Sequence, residues 1–159
     1  HPARHERNED LGDRQGEAER DLPEHARAYP RQTITLGWED RVQVHGRRRT
    51  DEGVEFGLGL PRGTVLRDGD FLLLDEPTVV VRVAEQPESV FVIEPRSAHE
   101  WGLYAYHIGN RHQPVMMTER AIVCPDVPGV ERLLTQQRIP FTRAMLPFTP
   151  ATAAAPHRH

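Results

Sequence analysis

The chain has 159 residues, 37% hydrophobic and 28% charged, with a mean hydropathy of -0.63. That length suits one ordinary domain or two small ones and argues against a large multidomain enzyme. Twenty Arg, with no Lys, stand against 24 acids for a net charge of -4. No strongly basic face is implied, which weighs against phosphate-driven nucleic-acid binding and against anionic membranes.

A single cysteine, Cys124, rules out an intramolecular disulfide and a Cys-only zinc knuckle. No apolar run approaches the ~18 residues of a membrane span. The first residues are rich in His, Arg and Glu and lack the apolar segment of a secretory signal. The chain opens on His1 rather than Met, so a fragment of a longer product is expected. A soluble, cytoplasmic protein follows as the default expectation.

Residues 1–29 carry eight acids and five Arg but only Leu11, Leu22 and Tyr29 as large apolar side chains. Too little apolar surface is available to offset a backbone ordering cost of roughly 1–2 kcal/mol per residue. This stretch is expected to be a disordered acidic arm. Residues 30–87 are then expected to form a small β domain. Its short β-branched runs are 33–36, 41–44, 54–58, 71–74 and 79–83, punctuated by turns at Asp51-Glu52-Gly53 and Arg67-Asp68-Gly69-Asp70. The pattern predicts a barrel or sandwich of five to six strands. Arg47-Arg48-Arg49, followed at once by Asp51-Glu52, reads as a solvated hairpin tip.

Past Pro87 the rhythm changes. Residues 90–93 read as a strand, and Ser97 with Glu100 three residues on has the spacing of a helix-starting capping box. Gly109-Asn110 offers a left-handed C-terminal cap. Strands at 115–117 and 121–123, a helix over 126–138 and an extended segment over 141–148 complete the order βαββαβ. The expected fold class is therefore α+β: a small N-terminal all-β domain followed by a ferredoxin-like domain over 88–150. Residues 151–159 are Ala- and Pro-rich and close with His157-Arg158-His159, a second flexible tail.

No dinucleotide-binding glycine motif, phosphate loop, nucleophile elbow or zinc-protease helix is present. Nine histidines are the informative set, because neutral imidazole suits nickel, copper and zinc ions. His107 and His112 stand five residues apart, so on an uninterrupted helix they would point about 140° away from each other. They do not chelate one ion from a regular helix. By itself, His107 reads as a last-turn side chain suited to the helix dipole, and His112 as an exposed loop histidine.

Three runs change that weighting. Gly57-Leu58-Gly59-Leu60-Pro61-Arg62-Gly63-Thr64 resembles a leucine-proline-arginine-glycine segment of the urease accessory protein UreE family. Tyr106-His107-Ile108-Gly109-Asn110-Arg111-His112-Gln113-Pro114 is similar to that family's second signature, and Leu146-Pro147-Phe148-Thr149-Pro150 to its ending. The resemblance covers about residues 32–150, in the family's order.

The resemblance implies a nickel-binding chaperone, not an enzyme, that works with the accessory GTPase UreG and the apo-urease assembly, and it assigns partner binding to the β domain over residues 30–87. It places the principal metal ligand at His112, near the two-fold axis of a homodimer, with His107 as a secondary candidate. The physical demand agrees. One imidazole is too few donors for a stable first-row site, and an isologous dimer doubles each donor. His157 and His159, on a tethered tail, are placed as auxiliary ligands at an effective concentration of order millimolar. Cys124 is a further candidate, weighed against the usual burial of a lone strand cysteine. Zn(2+) and Cu(2+) compete with Ni(2+) for the same imidazoles. The alternative reading is a protein-interaction module of the urease-assembly or a similar complex whose histidines are incidental.

Overall fold

The computed structural model describes residues 5–6 and 22–151, which fall into two units that divide between Gln86 and Pro87. The first unit is built from β1 (His5–Glu6), β2 (Arg31–Leu36), β3 (His45–Arg49), β4 (Glu55–Gly59), β5 (Phe71–Asp75) and β6 (Thr78–Glu85). One sheet has the order β1-β5-β6-β2, with β2 parallel to β6, and β3 and β4 form a separate antiparallel ribbon. Strand and ribbon share a core of Ile34, Leu36, Phe56, Leu58, Leu72, Leu74, Val81 and Val83.

The run Phe71-Leu72-Leu73-Leu74 is apolar without alternation because both faces of β5 are covered. Leu72 and Leu74 enter that core, whereas Phe71 and Leu73 join Val80 in a second cluster with Leu22, Ala26 and Tyr29. Residues 22–29 were expected in a disordered arm and instead pack, with a short 3-10 turn at Glu24–Ala26. Leu22, Ala26 and Tyr29 recur at helical spacing, a local signal that an average over 29 residues dilutes. Of the expected arm, residues 1–4 and 7–21 lie outside the described residues.

Two further expectations change. Residues 41–44 do not form a strand; Trp38–Val42 is a one-turn helix, α1, with Glu39 and Asp40 in its first turn. Arg47, Arg48 and Arg49 sit within β3 rather than at a tip, paired with Gly57, Phe56 and Glu55. The turn that follows serves the sheet edge: Asp51 Oδ1 accepts from Thr35 N at 3.0 Å, and Glu52 Oε2 accepts from Thr33 N at 3.1 Å. Those carboxylates occupy donors that an open edge strand would otherwise offer to another chain.

The second unit comprises β7 (Glu88–Ile93), α2 (Ala98–Asn110), β8 (Met116–Met117), β9 (Ile122–Pro125), α3 (Val130–Gln136) and β10 (Thr142–Leu146). Its sheet runs β10-β7-β9-β8 and every pair is antiparallel, the ferredoxin-like arrangement expected. Phe91, Ile93, Ile122 and Cys124 meet Ile108 of α2 and Val130, Leu133 and Leu134 of α3 in one core. The second helix is shorter than the expected 126–138. Gly129 at φ 94° and Arg138 at φ 55° bracket it, and the left-handed step at Gly129 prevents an earlier start. Among the described residues no helix is long and apolar enough to cross a membrane.

Two buried polar side chains give stability tests. Arg41 is wholly buried, donating to the Leu36 and Leu66 carbonyls at 3.3 Å each and meeting Glu85 at 3.2 Å. Arg41→Met should lower the unfolding free energy by about 3 kcal/mol, since it takes a buried donor from the Leu36 and Leu66 carbonyls and one partner from half-buried Glu85. Urea unfolding followed at Trp38 measures this. Cys124 is fully buried on β9, and that burial pushes its thiol up to about 12. Native protein at pH 8 should therefore resist iodoacetamide, while urea-unfolded protein is labelled. The folded state holds this proton more tightly. Its stabilisation is thus complete below the ordinary value of 9.0 and is lost as pH rises toward about 12, a loss absent from Cys124→Ala.

Candidate metal centre

The candidate centre is set by how α2 begins and ends. Ser97 is its N-cap, and Ser97 Oγ accepts from Glu100 N at 3.1 Å, as the spacing predicts. The Glu100 carboxylate does not close a reciprocal box; it accepts from the Tyr104 hydroxyl at 3.4 Å instead. The phenol of Tyr104 is held above its ordinary value, first by burial and then by that carboxylate.

At the other end the expected left-handed cap at Gly109-Asn110 is absent: both residues remain helical. The left-handed residue is His112, at φ 54°. His112 N donates to Gly109 O at 3.0 Å and Gln113 N to Ile108 O at 3.5 Å. These are the two bonds of a Schellman motif, in which the left-handed position is ordinarily Gly. An L side chain there costs about 1 kcal/mol relative to glycine. Pro114 then prevents the helix from resuming.

His112 is exposed, and His107, one turn earlier, is half-buried with its ring edge-on to Tyr106 at 5.7 Å. The break at the cap gives the two rings separate settings. Among the described residues no three His, Cys, Asp or Glu side chains gather into a metal-holding group. Cys124 is sealed in the core and Asp126, beside it in sequence, is engaged by Arg143 at 3.3 Å and Ser89 at 3.2 Å. His157 and His159 lie outside the described residues. Their root does not: Ala151 N donates to Val115 O at 2.7 Å, three residues from His112.

Sequence reasoning missed this anchor, and it missed the outer face of α2. Leu103 is 41% exposed and Tyr106 62%, one turn apart. Gly102 and Gly109 lie in the same helix, and a Cβ at either would meet nothing within 4 Å. Glycine inside a helix costs about 1 kcal/mol against alanine, and packing within the chain gives no reason for either. Two unexplained glycines flanking exposed apolar side chains were the available signal.

Comparison with known proteins places this geometry. Residues 12–85 match the N-terminal domain of the UreE urease accessory protein, and residues 88–159 match its C-terminal domain. A urease accessory protein UreE of Burkholderia thailandensis is 38% identical over 129 residues, covering 80% of this chain and 60% of the relative. One of Burkholderia mallei is 37% identical over 128 residues, covering 79% and 63%. One of Paraburkholderia xenovorans is 36% identical over 129 residues, covering 80% and 57%. The chain thus spans about six-tenths of the length of these relatives. With both halves matched in order, the chain belongs to the UreE urease accessory protein family.

Proposed function

We propose that this protein is a cytoplasmic chaperone that carries Ni(2+) as cargo to apo-urease during urease maturation, acting with the GTPase UreG, and that it catalyses no reaction itself. The observation that carries the reading is His112: an exposed imidazole kept at a backbone position that favours glycine. Structural economy would remove it, and a donor role explains its retention.

One imidazole does not hold a first-row ion, so the remaining donors come from elsewhere. A homodimer across the outer face of α2 supplies a second His112, and it covers Leu103 and Tyr106 while using the space over Gly102 and Gly109. The tail supplies more. From Ala151, anchored at Val115, six residues lead to His157, a reach of up to roughly 20 Å. His157 and His159 act as auxiliary donors. His107 is secondary, and Cys124, being buried, takes no part. Zn(2+) and Cu(2+) compete for the same donors in vitro.

Absence of a preformed three-donor cluster among the described residues favours one second reading, a protein-interaction module whose histidines are incidental. His112→Gly separates the two. It relieves the left-handed strain, so the melting temperature should hold or rise, by the equivalent of about 1 kcal/mol. Nickel bound in equilibrium dialysis should fall to the weak binding of the tail alone. Wild-type nickel affinity in that variant would overturn the assignment of His112. Light scattering of Tyr106→Asp should show monomers with weakened nickel binding; a dimer of wild-type affinity would overturn the symmetric site.

A further inference from the structure

Immediately beside His112 the second unit has a polar cleft of about 470 Å³, lined by Arg111, Gln113, Gly129, Arg132, Leu133 and Gln136. Its volume is that of a small-molecule site. Four of the six lining residues have polar side chains, two of them guanidiniums, and none is a carboxylate. Arg111 and Gln113 are the two chain neighbours of His112, and Arg132 and Gln136 project from one face of α3 at i,i+4 spacing.

Among the described residues no carboxylate balances the charge in this cleft. Among the described residues neither Arg111 nor Arg132 forms an ion pair, although acids stand close by in sequence. Glu131, the neighbour of Arg132, is bound to Arg143 at 2.6 Å, and Asp126 meets the same guanidinium at 3.3 Å. The acids of this region are thus committed to Arg143, and two guanidinium forks with two carboxamides remain unmatched. At Gly129 the backbone φ of 94° excludes most side chains, and a Cβ there would stand 3.9 Å from Gln113 Nε2.

Two positive charges beside a metal ligand oppose the approach of a bare dication. They favour an ion that arrives with more negative charge than its own. Planar guanidiniums accept carboxylates through paired hydrogen bonds, and carboxamides add further donors. From this complementarity we infer that the cleft binds a small polycarboxylate, and that nickel reaches His112 as the anionic chelate of that polycarboxylate. The inference rests on the nickel-carrier reading for its purpose, though the anion site itself is independently testable. On arrival the carboxylates transfer to Arg111 and Arg132 as the imidazoles take coordination positions, so the exchange proceeds without a free ion.

Isothermal titration of metal-free protein with citrate tests the site. Wild type should bind citrate, and Arg111→Gln with Arg132→Gln together should weaken binding at least tenfold. Arg132→Gln alone should show a partial loss, which keeps the test valid if the double variant melts early. His112→Gly should bind citrate as wild type does while losing nickel. In stopped-flow mixing, the double variant should take nickel from nickel–citrate at least fivefold more slowly, yet take aqueous nickel no more slowly. No citrate binding by wild type, or equal binding by the variants, would overturn the inference. Phosphate binding as tightly as citrate would overturn its carboxylate class. A glutamate-rich peptide binding more tightly than citrate would assign the cleft to a protein's acidic segment instead. Loss of citrate binding with nickel intact, or the reverse, tells the failure of this site from that of the His112 assignment.

Discussion

A divalent first-row ion asks for about four donors, and the exposed end of α2 offers one. For the proposed nickel carrier, that deficit is the governing constraint on the second unit. Nothing in the ferredoxin-like core can supply the missing ligands: Cys124 is sealed, and Asp126 is bonded to Arg143 and Ser89. Recruitment from outside the core is the remaining solution, and both available sources converge near position 112. The outer face of α2 carries exposed Leu103 and Tyr106 for a second copy, and the tail is rooted on Val115. A site assembled this way is open on several sides, which is what separates a carrier from a structural metal centre.

Where His112 sits gives it precision at low cost to the fold. A side chain on a long loop would wander, but the Schellman bonds from His112 N and Gln113 N tie this one to the last turn of a thirteen-residue helix. Rigid elements hold ligands more exactly than loops do. The strain is about 1 kcal/mol, small against the several kcal/mol of a typical domain. The opposite end of the helix is fixed separately, where Ser97 Oγ accepts from Glu100 N.

The architecture was legible wherever local pattern and tertiary setting agree. Ser97 with Glu100 announced the start of α2, and the βαββαβ order followed from alternating strands and apolar spacing. The failures share one cause, in that tertiary contacts reversed the meaning of a residue. Arg41 looked like the polar member of an alternating strand, yet it points inward to two carbonyls and Glu85. Leu22 and Ala26 looked lost among acids because the face of β5 that they cover is distant in sequence. The helix end was misjudged for a related reason. Gly109-Asn110 has the composition of a cap, but Gly109 stays helical and the left-handed step falls on His112. At the candidate site, the histidine was readable from its motif, whereas the anchor at Val115 and the cleft at Arg111 and Arg132 needed the fold.

Release is as demanding as capture for such a carrier. Ligands fixed in one rigid cage bind tightly and let go slowly, because every bond must break together. In the proposed carrier the donors come from separate sources: an imidazole on a helix cap, its copy in a second chain, and His157 and His159 beyond Ala151. Donors from separate sources can leave one at a time, and each departure opens a coordination position to an incoming ligand. Arg111 and Arg132, which form no ion pair among the described residues, would bias the same step. They favour negative charge beside the ion, so an approaching anionic donor is stabilised where it must displace a neutral imidazole. Stepwise replacement of donors under a local positive field would then lower the barrier to transfer, at the cost of some affinity for the bare ion.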